Sequence, residues 1–82
     1  MAPTEILAEV RRPQFEPFRL VMANGAFYDI KHPDQCMVMP KSIVVGASRT
    51  DDGFIDWTVT LNPWNVLRIE KTTQPAVSHA VA

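Results

Sequence analysis

A chain of 82 residues, 46% hydrophobic and 21% charged, has the composition of a folded globular protein, enough for one small domain and too short for two. At this size folding buries only about 60–65% of the unfolded surface, so stability is modest unless copies associate. Eight Lys and Arg against nine Asp and Glu give a net charge of −1, which excludes a protein-wide field drawing in nucleic acid or an anionic membrane.

Residues 1–14 read as an N-terminal segment with a short helix, residues 15–70 as a small β domain, and residues 71–82 as a disordered tail. Thr4 is a candidate N-cap, Ile6, Leu7 and Val10 form one apolar stripe at helical spacing, and Arg11 and Arg12 fall where positive charge suits the helix dipole. Pro13 stops the element. Two turns are not stable alone, so the stripe must dock on the rest of the domain. The opening MAPTEILAEVRRP has no basic stretch followed by an apolar core, so a secretory signal is not expected.

Residues 18–31, FRLVMANGAFYDIK, specify a hairpin. Gly25 suits the left-handed position that ends a three-residue loop over Ala23-Asn24-Gly25, and this loop sets Met22 opposite Ala26. One face then collects Phe18, Leu20, Met22, Tyr28 and Ile30, while the other pairs Val21 with Phe27 and Arg19 with Asp29. A two-residue Asn-Gly turn would instead set Leu20 against Asp29. His32-Pro33-Asp34-Gln35 reads as a turn in which Asp34 bonds local backbone amides.

Residues 36–39 and 42–45 return to β pattern on either side of Pro40-Lys41, as two short strands or, preferably, one strand bent at an edge. Residues 46–53, GASRTDDG, are expected to form a mobile loop closing a second hairpin. From Phe54 to Leu61 the chain alternates, with Ile55, Trp57, Val59 and Leu61 on a side expected to be buried. Asn62-Pro63-Trp64-Asn65 turns the chain into a last strand over residues 66–70. A short helix followed by about five strands with tight connections predicts a mainly β fold, a strongly bent antiparallel sheet curling into a small barrel.

The runs Phe15-x-Pro17-Phe18-Arg19-Leu20, Asn24-Gly25, Tyr28-x-Ile30-x-His32-Pro33-Asp34, Ile43-Val44-Val45-Gly46 and Val66-x-x-Ile69-Glu70 together resemble a group of small uncharacterised bacterial proteins. The resemblance spans most of residues 15–70, with Asn24 where that group carries aspartate, and it implies no particular activity. The element order is also similar to the Sm-like barrels, a likeness of layout that implies ring assembly and RNA binding.

Few side chains suggest chemistry. His32, Asp34 and Cys36 have H-x-D-x-C spacing, but no fourth metal ligand accompanies them, with His79 in the expected tail. Cys36 beside His32 lacks an orienting group and an oxyanion donor, and a lone cysteine in a β run is ordinarily a small buried apolar residue. Asp51 and Asp52 before Gly53 read as turn chemistry rather than paired acid and base. No catalytic residue, metal site or cofactor motif is assigned. A non-catalytic interaction or self-assembly module is the expectation, its partner a second copy or another protein, with Trp64, His32, Arg11 and Arg12 as candidate contact residues. An Sm-like RNA-binding regulator is the alternative, motivated by strand order and the Arg11-Arg12 pair. No run approaches the length of a membrane span, and the single Cys36 favours a reducing compartment, so the expected setting is cytoplasmic.

Overall fold

The computed structural model describes residues 1–72, apart from the side chains of Ser48 and Arg49. Helix α1 (Pro3–Val10) precedes strands β1 (Phe18–Met22), β2 (Phe27–Ile30), β3 (Cys36–Val38), β4 (Ile43–Arg49), β5 (Ile55–Leu61) and β6 (Val66–Lys71). The N-cap is Ala2 rather than Thr4. Pro3 explains the earlier start: its fixed φ suits the first helical position, and its missing N–H would have had no partner there. Glu5 reaches back to accept the Ala2 N–H at 3.0 Å, and Ile6 is driven fully into the core.

The first hairpin forms in the expected register, with Phe18 opposite Ile30, Arg19 opposite Asp29, Leu20 opposite Tyr28 and Val21 opposite Phe27. Gly25 takes φ +91°, and the Met22 N–H donates to the Ala26 carbonyl at 2.8 Å. Strand β1 is central, with β2 on one side and β6 on the other, in a three-stranded antiparallel sheet. A second three-stranded sheet has the order β3-β4-β5. Ile6 of α1 joins Phe18, Leu20 and Ile30 of the first sheet and Ile43 and Val45 of the second in one buried core.

The mainly β architecture is therefore as expected, while its finer form differs: among the described residues six strands in two sheets replace one five-stranded sheet, and no barrel closes. The bent strand expected across Pro40-Lys41 is a hairpin, in which Val38 pairs with Ile43 and Cys36 with Val45. Met39 donates its N–H to the Ser42 carbonyl at 2.8 Å, so the proline sits in the turn, where it needs no donor. Half of the polar connector expected over residues 46–53 is strand: β4 runs on to Arg49 opposite β5, with register irregularities between Gly46 and Ser48 and between Ser48 and Arg49. A bulge absorbs extra residues without ending a ladder. Gly46 lets Ile55 lie close across the ladder: a Cβ there would sit 2.9 Å from Cδ1 of Ile55, and that side chain would have to shift. Strand β6 likewise includes Lys71, counted with the tail on sequence grounds; the remainder of that tail, from residue 73, and with it His79, lies outside the described residues. Among the described residues no helix is long and apolar enough to cross a membrane.

Candidate interaction surface

Each sheet has a central strand paired on both sides, β1 or β4, and edge strands, β2 and β6 or β3 and β5, that carry one ladder each. Edges are where backbone donors and acceptors remain open to another strand. The apolar side of β5 was expected in the core, yet Trp57 is 56% exposed and Ile55 is also exposed. Burial on this face rises along the strand, through a half-buried Val59 to a buried Leu61. Leu61 and Val59 lie opposite the buried Ile43 and Val45; Trp57 lies opposite Ser48, beyond the first irregularity. The far half of the β4–β5 ribbon thus projects past the core, and Phe54, 71% exposed, extends the apolar surface at its tip.

On β6, Leu67 is 59% exposed. Pairing with β1 passes from Val21–Arg68 to Met22–Val66, leaving Leu67 as the extra residue of a bulge. Just before β6, one turn of 3₁₀ helix over Pro63–Asn65 buries Pro63 and presents Trp64 at 65% exposure. The Asn62 side chain accepts the Trp64 N–H at 2.9 Å, fixing the turn. The amino group of Met1 donates to the carbonyls of Pro63 and Val66 at 3.1 and 3.2 Å, docking the start of α1 beside it.

A groove of about 530 Å³ separates β2 from the projecting β4–β5 ribbon, lined by Phe27, Asp29, Lys31, Gln35 and Trp57 among others. Its walls are already engaged. Arg19 bonds Asp29 at 2.7 and 3.3 Å and lies 4.1 Å over the Phe27 ring. Buried Gln35 accepts the N–H groups of Lys31 and His32 at 2.8 and 2.9 Å and donates to the Gly46 carbonyl at 3.1 Å. Gln35 thus ties the end of β2 to β4 and satisfies two amides of the turn.

Trp64, His32, Arg11 and Arg12 are all exposed, but they do not form one site. Trp64 neighbours the start of α1 through Met1, whereas Arg11 and Arg12 stand past its end, about 12 Å away along an eight-residue helix. Arg12 faces Glu9 at 3.9 Å and Glu16 at 3.7 Å, and Lys71 bonds the same two carboxylates, so local charge is balanced. The H-x-D-x-C residues also separate, with His32 and Asp34 exposed and Cys36 buried. Desolvation pushes the Cys36 thiol up to about 11, which keeps it protonated and poorly nucleophilic at neutral pH. Among the described residues no three His, Cys, Asp or Glu gather as a metal site. Sequence reasoning missed Phe54, which lies just before β5, and Leu67, whose bulge leaves no periodic signal. For Phe27 the signal existed, since hairpin parity sets it on the Arg19–Asp29 face. Comparison with protein-family models, with curated proteins and with solved structures finds no match.

Proposed function

We propose that this protein is a non-catalytic association module that works through the open edge of β5. One observation carries the reading: Ile55 and Trp57, which belong to the same strand face as the buried Leu61, stand in solvent. Burying apolar area is worth about 25 cal/mol per Å², and an edge strand adds backbone hydrogen bonds to any segment laid against it. The small core gives association a further role, because it extends the area removed from water in a chain this short.

Sedimentation from micromolar to millimolar concentration, on the full chain and on Trp57→Ser, tests the reading. The expected result is concentration-dependent association that the substitution weakens. A full chain that stays monomeric throughout, with Trp57 fluorescence that reports an unchanged, wet indole at every concentration, overturns it for self-association. Amide exchange along residues 55–61 as fast in cell extract as in buffer removes the remaining case of a different partner.

A further inference from the structure

We propose that two copies of this chain exchange Trp64: the indole of each enters an apolar groove beside α1 of the other, in a two-fold contact separate from the β5 edge. The groove measures about 420 Å³ and is lined by Pro3, Thr4 and Leu7 of α1 and by Val38, Met39 and Pro40 at the end of β3 and the turn that follows. Residues 3, 4 and 7 share one helix face, because separations of three and four positions bring side chains together. No charged side chain lines the groove. It offers nothing to a phosphate or a carboxylate, and an apolar body suits it.

Trp64 is the matching body. It is exposed and takes no part in lining the groove of its own chain. Its turn is tied to the start of α1: the Met1 amino group bonds the carbonyls of Pro63 and Val66, on either side of Trp64, and Pro3 follows Met1 within about 7.6 Å of chain. Each copy therefore carries an unfilled apolar groove close to an uncovered indole. A different partner would have to supply both a knob and a groove at that same separation; a second copy supplies both by identity, and a two-fold axis satisfies them together. An indole N–H entering a dry site needs an acceptor. The Thr4 hydroxyl, the one side-chain oxygen of the lining, has no hydrogen bond among the described residues and supplies it. Area sets the strength: an indole buries roughly 150–250 Å², so two insertions with the surfaces receiving them remove roughly 600–1,000 Å² from water. That is at or below the size of a stable interface, so the dimer is weak and fills toward millimolar concentration.

Trp57→Ser provides the test chain, because it removes the apolar centre of the β5 edge and leaves Trp64 as the only indole of the two in the sequence. As its concentration rises to millimolar, sedimentation is expected to pass from monomer to dimer and Trp64 emission to move to shorter wavelength. Adding Thr4→Arg, at an exposed position, sets a long charged side chain in the groove and leaves the indole free; dimerisation is expected to weaken about tenfold or more. Adding Trp64→Ser instead leaves the groove open and the chain without tryptophan. Titrating that tryptophan-free chain into the Thr4→Arg chain rebuilds one insertion of the two, and Trp64 emission again moves to shorter wavelength. Far-ultraviolet circular dichroism checks that each variant is folded. A Trp57→Ser chain that is monomeric at millimolar concentration, with a wet Trp64, overturns the exchange and leaves the β5 reading to be decided by the native chain. A dimer that Trp64→Ser abolishes and Thr4→Arg does not overturns the groove as the receiving site. A dimer indifferent to both substitutions overturns the proposal altogether.

Discussion

Strands β1 and β5 carry the same alternating pattern and meet opposite fates. In β1, Phe18, Leu20 and Met22 are all buried. In β5, Leu61 is buried, Val59 half so, and Trp57 and Ile55 are exposed. The cause lies in their neighbours. Strand β1 is flanked by β2 and β6 and its inward face is buried from end to end, whereas β5 is an edge whose first half runs past the core. Alternation therefore states which side chains share a face; whether another layer reaches that face is a property of the whole fold. An apolar face left uncovered by its own chain is what association can cover.

The contrast is broken most forcefully at Phe18. Its ring is fully buried and packs on Phe15 with centroids 5.9 Å apart, so Phe18→Ala is expected to cost about 3–5 kcal/mol in urea unfolding. A loss under about 1 kcal/mol, the size of an ordinary surface change, would mean that β1 is no better covered than β5. Gln35 comes next, because it joins the well-covered hairpin to the projecting ribbon. Gln35→Ala leaves the Lys31 and His32 amides and the Gly46 carbonyl without their side-chain partner, a loss of about 1–3 kcal/mol. Gln35→Glu keeps the acceptor for both amides and loses the donor to Gly46, and its thermal midpoint is expected between those of the native chain and the alanine variant.

Cys36, on β3 beneath the core end of β4, gives a pH-dependent measure of the covered region. The folded protein holds the thiol proton more tightly than the unfolded chain, with a pKa of about 11 against an ordinary value of 9.0. Its contribution to stability is thus whole below pH 9 and is lost as pH rises through about 11. The urea midpoint should fall across that alkaline range, and Cys36→Ala should flatten the fall. An unchanged slope would show that the thiol titrates as freely in the folded protein as in the unfolded chain.

The first hairpin was legible from residues 18–31 because turn chemistry and parity act within a few residues: Gly25 closes the loop and each pair follows from it. Pro40-Lys41 fits a kinked strand and a turn equally well at that range, and the pairing of Val38 with Ile43 decided between them. The bulge that frees Leu67 depends on β1, more than forty residues earlier, and no local pattern announces it. Of the candidate surface, Trp64 was legible as a turn residue beside a proline, while its exposure was not. Trp57 was assigned to the core because its strand face is apolar, which is the inference that an edge strand defeats.

The smallest expected effect on stability is therefore at Trp57, where it discriminates most. Tryptophan is the largest side chain in the molecule, and in a core its removal costs about 3–5 kcal/mol. At a site 56% exposed, Trp57→Ser is expected to cost about 1 kcal/mol or less, as surface substitutions do, while weakening association strongly. Measured at a concentration where the native chain is dissociated, the urea midpoint isolates the fold from the assembly. A loss as large as that of Phe18→Ala would mean that the monomer itself covers the β5 face, and the difference between β1 and β5, together with the association surface built on it, would disappear. A small loss combined with failed assembly would make Trp57 a residue whose hydrophobic area acts between chains rather than within one.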